Sequence, residues 1–171
     1  MSLVTARGRA PPRRRLAPYL VAFAGFAVVA MAGGGATTIG PWYFRLKKPD
    51  WTPPGWAFPV VWTTIFVLAT VAAGLGWERS RSPAERRRLV GLFVANGLLN
   101  IAWSVLFFHF QRPDWALAEV TGLWLSILVL AAALRPATPL GAALVLPYLA
   151  WVSTAAVLNA AIVRLNAPFG R

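Results

Sequence analysis

Five long runs of apolar residues, at about 16–39, 57–77, 89–110, 115–134 and 140–163, take up most of a 171-residue chain and leave few ways to fold it. A helix rises about 1.5 Å per residue, so a run of this length crosses a hydrocarbon core of about 30 Å. Barrel strands would be shorter, about ten residues, and would alternate apolar with polar. The expected fold is an all-α integral membrane protein, a bundle of five transmembrane helices. A basic tail, 1–15, precedes a membrane domain at 16–166, and 167–171 form a short C-terminal tail. The connections are too short to house a soluble catalytic domain.

Composition agrees with this reading and removes several functions. Charged residues make up 13% of the chain, against about 25% in soluble domains. With no cysteine and one histidine, His109, there are no disulfides, no thiolate chemistry and no His-rich metal cage. A net charge of +12 would suggest nucleic acid in a soluble protein. Here the arginines flank the apolar runs and lack interleaved stacking aromatics, so they act as topology determinants and nucleic acid is not a partner. The first run follows arginines as a signal peptide would, but its 24 uncharged residues, Leu16 to Ile39, exceed a signal core of roughly 7–15 and predict a retained helix. With the N-terminus inside, the tail, 78–88 and Arg135 place eleven basic residues on the inner side, leaving six outside. That bias favours N-terminus in and C-terminus out. A bacterial membrane is expected, since no amphipathic transit segment is evident.

The connection 40–56, GPWYFRLKKPDWTPPGW, is stiffened by four prolines and carries Trp42, Trp51 and Trp56. It reads as an interfacial anchor or as a lid over a pocket. In the third run Asn96, Asn100 and Ser104 recur every four residues with Trp103 beside them, forming a polar stripe that should avoid lipid. In the fifth, Trp151, Ala155, Leu158, Asn159 and Ile162 share a face, with Pro147 expected to kink the helix. Glu119, four residues after Trp115, is an intramembrane carboxylate and a functional candidate by default. Counting from the outer ends places Glu119 roughly 6 Å deep, Trp62 and Asn159 roughly 8 Å, Trp103 roughly 10 Å and Asn100 roughly 15 Å, with Trp124 and Trp151 nearer the middle. These walls suit a large apolar ligand held by a few polar groups. The bland alternatives stay open: asparagines can link helices, and Trp42, Trp77 and Trp115 read as interfacial anchors. Gly33-Gly34-Gly35 permits close packing or a helix end, and Gly91 with Ala95 is a small-residue pair suited to a homodimer contact. No acid/base or nucleophilic constellation is visible.

Three motifs, WYFRLKKPDWTPPGWAFPVVW at 42–62, LNIAWSVLFF at 99–108 and LPYLAWVSTAAVLN at 146–159, closely resemble the tryptophan-rich sensory protein (TspO/MBR) family, whose mitochondrial member is called the translocator protein. The resemblance covers about 18–166. It implies a five-helix bundle, commonly dimeric, that binds porphyrins such as protoporphyrin and haem as ligands; no cofactor is required. It places Trp42, Lys48, Pro49, Trp51, Pro53 and Pro54 in the capping connection, and Trp62 and Trp151 as the tryptophans lining the pocket. Asn100, Trp103, Trp115, Ala155 and Asn159 also align with family motifs, while Glu119 stands where mitochondrial relatives usually have aspartate. Sterol-binding relatives carry Tyr after the equivalent of Asn159; Ala160 and Ala161 stand here, so cholesterol is expected to bind weakly or not at all, on a motif that is itself weak evidence.

Two readings of function follow. In the first, the protein is a membrane receptor or carrier for tetrapyrroles with a sensory or regulatory role in their metabolism. The other is light-dependent oxidative breakdown of bound porphyrin through Trp62 and Trp151. A third, a structural bundle that assembles partners, requires no porphyrin binding. The topology is directly testable: a single cysteine at Ser82 should label from the side opposite one at Thr52. Labelling of both from one side would overturn the five-span arrangement.

Overall fold

The computed structural model describes residues 16–170; the basic tail, 1–15, and Arg171 lie outside the described residues. All regular structure among these residues is helical. The elements are α1 (Ala17–Ala36), α2 (Pro41–Arg45), α3 (Ala57–Arg79), α4 (Pro83–Ser104), α5 (Pro113–Leu134), α6 (Pro139–Leu144) and α7 (Leu146–Asn166), and a π-helical turn, Val105–His109, prolongs α4. Five stretches are long and apolar enough to cross a membrane: α1, α3, α4 with its π turn, α5, and α6 joined to α7. The chain is a multi-pass integral membrane protein.

Helix ends follow local chemistry more than hydropathy. α4 begins at Pro83, six residues before its apolar run, because Ser82 and Glu85 form a cap: Ser82 Oγ accepts from the Glu85 N–H at 3.2 Å, and Glu85 Oε2 accepts from the Arg81 N–H at 2.6 Å. Charged residues suit an exposed first turn, so the helix takes in 85–88. α1 stops at Ala36, short of Ile39, where the Thr37 hydroxyl donates back to the Gly33 carbonyl at 2.7 Å. The fifth span is interrupted for one residue, Val145, whose backbone stays in the helical region at φ −92°, ψ −6°, in keeping with the kink expected from Pro147. Pro147 has no N–H and cannot tolerate a helical carbonyl four residues back, so α6 ends and Pro147 becomes the second residue of α7.

α5 is the hub. Its stripe Ala116, Val120, Leu123, Ile127, Leu130 and Leu134 is buried at three- and four-residue spacing, and it packs on α4, α6 and α7. α1 is peripheral, touching α3 and α4, with Phe26 and Gly33 its buried residues. Close approach is possible where side chains vanish: Gly33 lies against Ser104 and Asn100, and Gly74 lies directly beneath the Tyr19 ring. That contact lets the Tyr19 hydroxyl donate to Glu78 Oε2 at 2.9 Å, tying α1 to α3. By contrast Gly91 and Ala95 sit on an exposed face of α4, and a side chain at Gly91 would meet nothing within 4 Å.

Gly74→Ala therefore drives a methyl into the Tyr19 ring and should destabilise the protein by about 1–3 kcal/mol, the usual range for overpacking. Gly91→Ala should be neutral or slightly stabilising. Thermal unfolding in one detergent checks both, and an equal effect of the two would refute the close approach of α1.

Candidate functional site

The outer connection is a structured cover. α2 sets Trp42 and Tyr43 on the π turn, where Trp42 meets Phe107 edge-on at 6.0 Å and Tyr43 meets Phe108 at 5.7 Å. Lys48 folds back over the Tyr43 ring, 4.0 Å from its centroid, and donates to the Tyr43 carbonyl at 2.7 Å. Partial burial lowers the Lys48 pKa from its ordinary value and raises that of Tyr43. The cover is clamped to the end of α7 by one amide used in both directions: Asn166 Oδ1 accepts from the Lys47 N–H at 2.8 Å, and its Nδ2 donates to the Lys47 carbonyl at 2.8 Å.

Beneath it three helices bring the aromatic and polar residues together. Trp62 of α3 stacks on Phe66 at 5.5 Å and meets Tyr148 of α7 edge-on at 5.8 Å. The Tyr148 hydroxyl accepts from Asn100 Nδ2 at 3.0 Å, drawing α4 into the same layer. Trp103 stacks on Phe107 at 5.1 Å and packs against both apolar clusters of the interior. Trp151 lies edge-on to Phe58, in the first turn of α3, at 5.5 Å. Trp124, which bonds to Ser153 two residues along α7 at 2.8 Å, lies in the same part of the span, and Asn159 two turns further on meets the start of α5.

The polar stripe is used internally. Asn96 Nδ2 donates to Ser126 Oγ at 2.7 Å. Asn159, only 1% exposed, donates to the Pro113 carbonyl and accepts from the Leu117 N–H, each at 3.0 Å, so its amide bridges the two ends of one helical bond in α5. Trp124 is likewise bonded, its indole N–H donating to Ser153 Oγ at 2.8 Å. Two groups break the pattern: both carboxylate oxygens of Glu119 and the indole N–H of Trp103 are buried without a hydrogen-bond partner. Buried polar atoms are nearly always paired, so each unpaired one calls for an explanation.

Not every candidate turns inward. Trp51, in the cover, is about half exposed. So is Trp115, whose ring lies under the Arg112 guanidinium at 4.0 Å, an arginine that also pairs with Asp114. Ala155 is half-buried and His109 exposed. Sequence reasoning passed over Phe58, Phe66 and Tyr148. The signal available was an aromatic residue three or four positions from each pocket tryptophan, which an apolar background disguises.

The class of protein is thus a five-span membrane bundle with a proline- and tryptophan-rich cover over an aromatic layer holding two unsatisfied polar groups. The sequence profile of the TspO/MBR family matches residues 18–165, and the chain belongs to that family. It is 38% identical over 130 residues to the tryptophan-rich protein TspO of Chlorobaculum tepidum, covering 73% of this chain and 80% of that one. It is 35% identical to protein CrtK of Rhodobacter capsulatus over 82% and 92% of the two chains. The translocator protein of Sus scrofa is 32% identical over 88% and 94%.

Removing the clamp should loosen the cover alone. Asn166→Ala deletes two hydrogen bonds to Lys47, each contributing about 1 kcal/mol, so local opening should rise about thirtyfold. Amide hydrogen exchange at 46–52 reads this directly, and unchanged protection would show that ring packing alone holds the cover.

Proposed function

We propose that this protein is a membrane receptor or carrier that binds a tetrapyrrole in the outer half of the bundle, beneath the 40–56 cover. The observation that carries the reading is the pair of unsatisfied buried groups, the Glu119 carboxylate and the Trp103 indole N–H, set among stacked aromatic rings. One can accept a proton-bearing nitrogen and the other can donate to a carboxylate. A porphyrin offers pyrrole N–H groups, propionates and a flat apolar face, so a single ligand answers both groups and the rings around them. Trp62 and Trp151 supply stacking and edge contacts, while Asn100 and Asn159 hold α4, α5 and α7 in register. The relatives' names, a sensory protein in Cereibacter sphaeroides and a translocator in Sus scrofa, support a receptor or carrier in place of a structural bundle. The chain's single histidine is exposed at the outer end of the π turn. Recognition would therefore read the macrocycle and its edge, with metal-free protoporphyrin binding about as well as haem.

The test is a titration of the purified protein with protoporphyrin, first in darkness. Saturable binding is expected, and Trp151→Ala should weaken it at least several-fold, since an aromatic pair contributes about 0.5–1.5 kcal/mol beyond the area it buries. Absence of saturable binding by a folded protein would remove the tetrapyrrole reading. Trp62 and Trp151, oxidisable rings packed on the same core cluster, give a reason to repeat the experiment in light and air. A new pigment product over many turnovers would replace the receptor by a photo-oxidative enzyme, and recovery of unaltered porphyrin would retain it.

A further inference from the structure

The Glu119 carboxylate and the Trp103 indole N–H are both sealed inside the bundle, with no surface open to lipid or water. A ligand that pairs with them reaches them only if part of the wall moves. Two parts of the wall border the aromatic layer and differ in how they are held: the 40–56 cover, and the seam between α3 and α7.

The seam is uneven along its length. In the inner half α3 packs closely on α6, where a side-chain carbon at Gly141 would lie 3.5 Å from the Ala72 carbonyl oxygen. In the outer half α3 scarcely touches α7 directly, and rings fill the gap: Trp62 meets Tyr148 at 5.8 Å and Phe58 meets Trp151 at 5.5 Å. The two spans thus part toward the outer side, and the opening is plugged by side chains. Among the described residues no side-chain hydrogen bond crosses it. Thr64 and Thr154 spend their hydroxyls on the Val60 and Ala150 carbonyls of their own helices, at 2.9 and 3.1 Å. The other helix pairs around the layer are tied: α4 to α5 through Asn96, α4 to α7 through Asn100, and α5 to α7 through Asn159.

We propose that the outer half of this seam is a lateral gate, with Phe58 and Trp151 as its two leaves, through which a flat apolar ligand passes between the outer leaflet and the pocket. The proposal rests on the tetrapyrrole reading above. What each opening breaks decides between gate and cover. Lifting the cover breaks both Asn166 bonds to Lys47 and draws Trp42, Tyr43 and Leu46 off the cluster around Phe107 and Ile162, into water. Parting the seam breaks no hydrogen bond, since the Tyr148 hydroxyl stays on Asn100 while Phe58 and Trp151 turn aside. The rings then meet acyl chains, which are as apolar as the interior they leave, so the hydrophobic cost that opposes opening toward water is absent. A flat macrocycle concentrates in the bilayer for the same reason, and so arrives at the seam in preference to the aqueous face of the cover.

The chain has no cysteine, so a bridge can be placed at each opening separately. Full-length protein in lipid nanodiscs carries one of two pairs. Lys47→Cys with Asn166→Cys spans the clamp of the cover. Val60→Cys with Ala150→Cys uses exposed positions of α3 and α7 at the level of the ring pairs. A short bis-thiosulfonate reagent joins each pair, the mass of the protein verifies the bridge, and reductant removes it. Protoporphyrin is added in darkness, and its association is followed by quenching of tryptophan fluorescence. The seam bridge should slow association by about tenfold or more, with recovery on reduction, and the cover bridge should change it by less than about twofold. Phe58→Ala, without any bridge, should raise the association and dissociation rates together. Slowing by the cover bridge alone would overturn the proposal in favour of entry from water. Equal slowing by both bridges, or by neither, would overturn it too, as would a Phe58→Ala variant in which dissociation alone is faster, the mark of a lost ligand contact. Absence of saturable binding to the folded, unbridged wild type is a separate result, which removes the tetrapyrrole reading and the gate with it.

Discussion

Hydrocarbon offers no partner to a backbone N–H or C=O, and each one left unpaired there costs several kcal/mol. The five helices answer that constraint, and so does the treatment of every point at which a helix is interrupted. At the outer end of α4 the ladder widens into a π turn, and the chain reverses through Gln111, a non-glycine residue at φ 54°. The reversal is sealed by bonds from the Phe110 N–H to the Val105 carbonyl and from the Arg112 N–H to the Leu106 carbonyl, both 2.9 Å. The left-handed residue costs of order 1 kcal/mol, less than a freed backbone pair in lipid. Where α1 ends, the Thr37 hydroxyl takes up the Gly33 carbonyl; where α6 begins, Thr138 Oγ1 takes up the Gly141 N–H at 3.1 Å.

The same constraint gives the asparagines their value. Lipid tails are as apolar as leucine, so packing α4, α5 and α7 together gains little from hydrophobicity alone, and polar side chains between helices supply what is missing. Asn96 reaches Ser126, Asn100 reaches Tyr148, and Asn159 bridges a bond of α5. Each such bond is modest, under about 2 kcal/mol. Their placement gives α5 fixed neighbours on both sides, and the tryptophan layer is held on that frame. α1 packs on α3 and α4 alone among the long helices, its Tyr19 bonded to Glu78 of α3, and stays at the edge of the bundle.

Much of the site was legible because a membrane chain separates its residues sharply. A polar side chain every fourth position in an apolar run has to face protein, and Asn96, Asn100 and Ser104 are all buried. The prolines of the connection announced a shaped cover, and the Pro147 motif announced an interruption. Less legible were contacts that depend on how far one helix slides past another. Trp151 meets Phe58 through the offset of α7 against α3, and no periodicity within α7 encodes that offset. Trp103 is stacked in the interior, beside its polar stripe, while Trp115, which reads as an interfacial anchor, is held outside under Arg112. Both are tryptophans near the outer end of a span, and the difference lies in the rotation of two helices about their axes.

The sequence by itself determined the number and order of the spans, the polar stripe and the family. These follow from run length, residue period and local motifs, which act over a few residues. Tertiary structure decided which aromatic rings meet, that one asparagine clamps the cover, and that Glu119 and Trp103 are buried unpaired. The physical reason is that translation and rotation of packed helices are set by contacts between residues far apart in the chain, summed over a whole interface. No single segment carries that sum.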